Sequence, residues 1–149
     1  MILTDVNILI YAFRSDSQDH NAYRDWLDEQ VNGPAAYGVS PQVLSAVARI
    51  ATNKKAYAQP SKLVDVLAFC ETLLEQPNAT VCTPGDRHWS IFTDLCIKSK
   101  AQGNLIADAW FAALAIEYGC EWITNDRDYA RFPGLKWRTP WELTRLNLA

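Results

Sequence analysis

Four aspartates carry the chemistry this chain can do. Asp5 ends the apolar run Ile2-Leu3-Thr4, and the block Ile8-Leu9-Ile10-Tyr11-Ala12-Phe13 follows it directly. That pattern predicts a buried strand running straight into a helix, with Asp5 at the turn. Asp126 and Asp128 close a second apolar run, Cys120 to Thr124, in the segment Asn125-Asp126-Arg127-Asp128. Asp108 lies about one turn into an Ala-rich helix opened by Asn104, off its apolar stripe. Extended backbone after the strand would point Asp126 and Asp128 the same way. Each aspartate also has a plain structural reading: Asp5 as a helix cap, Asp108 as a first-turn acid complementing the helix dipole, Asp126 and Asp128 as turn formers. If Asp5, Asp108 and Asp126 converge, however, they cannot all stay ionised uncompensated, because like charges and burial both raise carboxyl pKa values. A divalent cation resolves the conflict, and an all-oxygen acidic site suits Mg²⁺ or Mn²⁺. Such a site polarises a phosphodiester and makes a hydroxide nucleophile from water.

The elements that must position these residues alternate between strand and helix. The predicted strands are Ile2–Thr4, Ala36–Val39, Thr80–Cys82, Cys120–Thr124 and Leu135–Arg138. Between them lie amphipathic helices: one from His20 to Gln30, one opened by Ser40-Pro41 and striped with Val43, Leu44, Val47, Ile50 and Ala51, and one capped by Ser61 with the stripe Leu63, Val66, Leu67, Cys70, Leu73 and Leu74. A further helix carries Trp89, Phe92, Leu95 and Cys96, and the Asn104 helix presents Leu105, Ala109, Ala112, Ala113 and Ile116. Alternation of this kind predicts an α/β fold, a parallel sheet covered on both faces. Right-handed crossovers then put every strand's carboxyl end on one edge, so Asp5 and Asp126 meet although far apart in sequence.

Composition narrows the class. The 149 residues fit one domain, 1–149, and 49% hydrophobic with 21% charged residues describes an ordinary globular protein. A net charge of −3 excludes a basic nucleic-acid wrapper, so any nucleic-acid contact needs a local patch or a metal. Cys70, Cys82, Cys96 and Cys120 form no CxxC pair, which argues against a zinc module and suits reduced thiols in a cytoplasmic protein. No signal peptide and no stretch of about 20 apolar residues is present, so no membrane span is expected. His20 and His88 stand in no motif, and His88 beside Trp89 reads as a packed residue rather than a catalyst. There is no Walker-type loop and no GxGxxG.

The opening ILTDVNILIYAF, the helix GNLIADAWFAALAIEYG and the segment TNDRDYARFPGL together resemble a PIN-domain ribonuclease, and within that family the VapC-type toxins of toxin–antitoxin pairs. The pieces SPQVLSAVARIATN and TPGDRHWSIF resemble one VapC subgroup. The resemblance implies a three-layer α/β/α sandwich with a central parallel sheet and a Mg²⁺- or Mn²⁺-dependent site at its edge. It makes Asp5, Asp108 and Asp126 the metal ligands, with Asp128 assisting through water. Thr124 then hydrogen-bonds a ligand carboxylate or a metal-bound water, and Asn7 orients Asp5. It further implies an endoribonuclease cutting structured RNA, of the transfer or ribosomal class, to leave a 5′-phosphate and a 3′-hydroxyl. The implied partners are a second copy of the chain and a small antitoxin that threads a segment into the site. One departure stands out: the Glu that many PIN nucleases carry on the helix after the second strand falls at Ala46.

Contacts to RNA are open to Arg14, Arg49, Lys54, Lys55, Arg127 and Arg131, with Tyr11 and Trp110 as stacking candidates; a solvated surface and a packed core are the plain alternatives. Two other functions compete. A haloacid-dehalogenase-like phosphatase would use Asp5 as nucleophile but wants a second Asp where Asn7 stands. A PIN-fold RNA- or protein-binding module with weakened catalysis draws on Ala46.

Overall fold

A six-stranded sheet in the order β3-β2-β1-β4-β5-β6 runs through the middle of the chain. The computed structural model describes residues 1–148. The strands are β1 (Ile2–Thr4), β2 (Tyr37–Val39), β3 (Ala79–Val81), β4 (Glu121–Ile123), β5 (Lys136–Arg138) and β6 (Arg145–Leu146). The first five pair in parallel and only β6, on the edge, is antiparallel. The helices are α1 (Val6–Phe13), α2 (His20–Asn32), α3 (Pro41–Ala51), α4 (Leu63–Glu75), α5 (His88–Ser99) and α6 (Asn104–Glu117). From β1 the chain winds outward through β2 and β3, then returns to β4 on the other side of β1. Right-handed crossovers therefore send α1 to α4 to one face and α5 with α6 to the other, and the helices pack on one another within these two groups. The three-layer α/β/α arrangement matches the sequence expectation.

Residue chemistry explains the layers. α6 lies close on the sheet because Ala109, Ala112, Ala113 and Ala115 are small and fully buried, and Phe111 stacks on Trp122 of β4 with centroids 5.8 Å apart. β2 approaches β1 so closely at Gly38 that a side chain there would meet the Ile2 carbonyl oxygen at 3.1 Å and the Cys82 sulfur at 3.0 Å. Ser40 caps α3 by accepting from the Val43 N–H at 3.2 Å, with Pro41 in the first turn.

Several local expectations are corrected. Ser61 does not cap α4, which begins at Leu63 after Lys62 with no side-chain cap. Its hydroxyl instead accepts from Arg14. The α4 stripe is narrower than its periodicity indicates: Val66, Cys70 and Leu73 are buried, whereas Leu63 and Leu67 are exposed. Asp126 and Asp128 do not share an extended backbone, because Asp126 caps a 3₁₀ helix over Arg127–Arg131 that contains Asp128. His88 is packed as expected, 1% exposed, with its Nε2 against the Trp110 carbonyl oxygen at 2.9 Å. Among the described residues no helix is long and apolar enough to cross a membrane.

Candidate active site

The strand order reverses between β1 and β4, and the carboxyl ends of strands at such a reversal are where open α/β sheets bind ligands. Asp5 lies there from β1 and the Thr124–Asp126 segment from β4. Asp5's backbone N–H donates to the Ile123 carbonyl at 2.9 Å, which pins the two sides together.

Asp5 is only 6% exposed. One carboxylate oxygen accepts from the Val6 N–H at 2.7 Å, so Asp5 caps α1 as its residue type suggests. The other accepts from the Thr124 hydroxyl at 2.6 Å. That hydroxyl accepts in turn from the Asp126 N–H at 2.9 Å, so a buried threonine bolts Asp5 to the backbone of Asp126. The Asp126 carboxylate takes the Asp128 N–H at 2.9 Å, which starts the 3₁₀ helix. Tyr129, buried in the same helix, donates its hydroxyl to Asp108 on α6 at 3.3 Å.

The electrostatics join the three acids. Burial pushes the Asp5 carboxyl up to about 6, against the hydrogen bonds from Thr124 and Val6, and the charges of Asp108 and Asp126 add to the rise. Asp108 is likewise pushed up to about 6, by burial first and then by Asp126. Tyr129 is raised well above its ordinary value by burial and by Asp5, Asp108 and Asp126 together, so one phenol feels all three carboxylates. No Lys, Arg or His forms an ion pair with Asp5, Asp108 or Asp126 among the described residues.

Three uncompensated, mutually repelling oxygen donors fit a hard divalent cation. As the side chains stand, no group of three or more His, Cys, Asp or Glu among the described residues is drawn tightly enough to hold one. The three carboxylates share a field without converging on one point. Mg²⁺ keeps several of its own waters and binds through few carboxylates, which suits spaced donors.

Asp128 is exposed and faces Arg131 at 3.6 Å. Asn7 is exposed and makes no hydrogen bond to Asp5 among the described residues; Val6 and Thr124 orient that carboxylate instead. Ala46 is half-buried against the core and adds no donor to the site. Trp110 is committed to an aromatic cluster, 4.2 Å from His88 and 5.0 Å from Phe92, with its indole N–H on Gln42. Of the six cations, Arg14 is buried and held by Asp16, Ser61 and the Gln59 carbonyl. Arg127 pairs with Glu142 and Arg131 with Asp128, whereas Arg49, Lys54 and Lys55 are exposed and in no ion pair among the described residues. Tyr129 is a site residue that no sequence motif marks; its only local signal is a three-residue spacing from both Asp126 and Phe132.

Comparison with known proteins adds the lineage. The PIN domain family matches residues 2–135. Ribonuclease VapC43 of Mycobacterium tuberculosis is 39% identical over 140 residues, covering 94% of this chain and 95% of that protein. Ribonuclease VapC25 of the same organism is 35% identical over 136 residues, covering 91% and 96%. The structure of VapBC2 from Rickettsia felis, bound to a DNA fragment from its promoter, superposes with a TM-score of 0.68 at 18% identity over 93% of this chain and 98% of that one.

Proposed function

The chain belongs to the PIN-domain family, in its VapC-type branch, and from that premise we propose that it is a Mg²⁺- or Mn²⁺-dependent endoribonuclease, the toxin of a toxin–antitoxin pair. The observation that carries this reading is the buried link from Asp126 N–H through Thr124 to Asp5, with Asp108 held beside it by Tyr129. Asp5, Asp108 and Asp126 would hold the cation. When bound, such an ion acts as a Lewis acid on a phosphodiester and supplies an activated water.

The chain's own residues prepare the site. Thr124 and Val6 fix both oxygens of Asp5, leaving each with a free lone pair. Tyr129 engages one oxygen of Asp108, and the 3₁₀ turn engages one oxygen of Asp126, so both keep the second oxygen unengaged by any other side chain. Arg49, Lys54 and Lys55 are the cations available for RNA phosphates. In this reading the substrate is a structured RNA of the transfer or ribosomal class. The protein acts in the cytoplasm as a homodimer, and a cognate antitoxin holds it inactive. Asp128, paired with Arg131, assists only through water.

Incubating the purified protein with total cellular RNA, with Mg²⁺ or Mn²⁺ and with EDTA, tests the reading, with Asp108→Asn alongside. Discrete fragments bearing 5′-phosphates, lost in EDTA and in the variant, support it. A folded, antitoxin-free protein that cuts no RNA with either metal favours the binding module, for which Ala46 is the specific observation.

A further inference from the structure

Beside the carboxylate site runs a row of aromatic rings that the cleavage chemistry leaves unused. Tyr11 of α1 is half-buried, with its ring centroid 5.1 Å from that of Tyr23 on α2. Tyr23 lies 4.9 Å from Trp141, which follows β5. Both contacts are tilted, at 53° and 59°, so the rings form a row and not a closed stack. The row is tied to the site at Asn125, between Thr124 and Asp126, which donates its side-chain N–H to the Tyr23 hydroxyl.

Exposure divides the work. Tyr23 is 8% exposed and backs its neighbours, whereas Trp141 is 57% exposed. Trp141 also walls a cleft of about 420 Å³, shared with Arg138, Pro140 and the α2 side chains of Asp25 and Trp26. That volume lies in the range of small-ligand pockets. On the other flank the loop between α3 and α4 carries Tyr57, with the Arg14 guanidinium 3.6 Å over its ring, and the exposed, unpaired Lys54 and Lys55. One flank therefore offers the exposed indole face of Trp141, beside a cleft that also carries Asp25, Glu29 and Arg138, and the other positive charge. A single-stranded polynucleotide supplies both, neutral bases alternating with phosphates, whereas an apolar peptide meets only the first demand and an acidic one only the second.

Building on the ribonuclease reading above, we propose that the row Tyr11, Tyr23 and Trp141, with the cleft beside Trp141, is a base-binding subsite that stacks an unpaired nucleobase next to the phosphodiester presented to Asp5, Asp108 and Asp126. The base is unpaired because a duplex covers both its faces. Trp141 supplies the stacking surface, and Tyr23 is a positioning residue that sets the angle between Trp141 and the catalytic segment.

The test is binding of a short fluorescein-labelled single-stranded RNA of mixed sequence, followed by anisotropy in EDTA, beside a hairpin of the same length. Trp141→Ala weakens single-strand binding by about 5- to 100-fold, as loss of a base–aromatic stack does, and Trp141→Phe recovers most of the loss. Trp89→Ala, at a tryptophan 64% exposed on α5 and outside the row, changes nothing. In cleavage assays Trp141→Ala raises KM and leaves kcat near that of the parent, and an unchanged thermal midpoint shows that it folds. Single-strand binding unaltered by Trp141→Ala overturns the subsite, as does an equal loss in Trp89→Ala, or a loss confined to a partner protein. A parent that binds in a Trp141-dependent way yet cuts nothing with Mg²⁺ or Mn²⁺ retires the nuclease reading and leaves the subsite standing. A parent that cuts, with KM indifferent to Trp141, does the reverse, and a parent that binds no RNA removes both.

Discussion

Asp5→Asn separates what this carboxylate does for function from what it costs the fold. Asp5 titrates at about 6 in the folded protein against 3.8 ordinarily, chiefly because it is buried, and at ~1.4 kcal/mol per unit that gap is worth about 3 kcal/mol. A raised carboxyl pKa favours folding when the group is protonated. The contribution is fully present below 3.8 and is lost as pH rises through about 6, beyond which the buried charge weighs against the fold. D5N is neutral throughout. It keeps the oxygen that accepts from Val6 but deprives the Thr124 hydroxyl of its acceptor, a loss of about 1 kcal/mol. In EDTA at pH 7.5, D5N is therefore about 2 kcal/mol more stable than the parent, a rise of roughly 4 to 8 °C in Tm for a chain of this size. Near pH 4 the advantage disappears or reverses. Thermal and urea unfolding at the two pH values measure it, and RNA cleavage by D5N is lost at both. A D5N protein less stable than the parent at pH 7.5 in EDTA, or one whose difference ignores pH, refutes the claim that Asp5 is held ionised at a cost.

Other substitutions follow from the same geometry. Thr124→Val removes the donor to Asp5 and the acceptor for the Asp126 N–H at a fully buried position; about 1 to 3 kcal/mol of stability is expected to go, with a 10- to 100-fold fall in activity by analogy with outer-shell partners of metal ligands. Thr124→Ser keeps most of both, which kcat/KM and urea unfolding show. Arg14→Ala costs roughly 2 kcal/mol in a urea melt, because a 7% exposed side chain leaves behind the Gln59 carbonyl, the Ser61 hydroxyl and the Tyr57 ring. Gly38→Ala forces a Cβ against the Ile2 carbonyl oxygen and costs about 1 to 3 kcal/mol, visible as a lowered Tm.

The layers and the site were legible because periodicity and strand-end aspartates survive in the chain as local patterns. Asp5 and Asp126 had to meet once the strands were parallel and the crossovers right-handed. What escaped depends on contacts between segments distant in sequence. Thr124 was expected to bond a ligand carboxylate or a metal-bound water; that its partner is Asp5 follows from β1 and β4 being neighbours, which the order of strands along the chain does not state. Ser61 carries a cap's residue type, yet its hydroxyl goes to Arg14, 47 positions away. β6 is two residues long and edge-bound, too short for an alternation to register. Asp128 misled because an Asp two residues after another can lie on a strand or in a 3₁₀ turn, and the cap by Asp126 decides for the turn.

The reading rests on Asp5, Asp108 and Asp126 serving one divalent-cation site. A crystal of the protein grown or soaked with Mn²⁺, with anomalous data, tests it most directly. The expected result is a single or paired Mn²⁺ peak at the carboxyl ends of β1 and β4, with oxygens of these aspartates at about 2.0 to 2.3 Å and the remaining positions taken by water. Saturating Mn²⁺ that leaves the site without a peak, or that binds only at Asp128 and other surface acids, contradicts it.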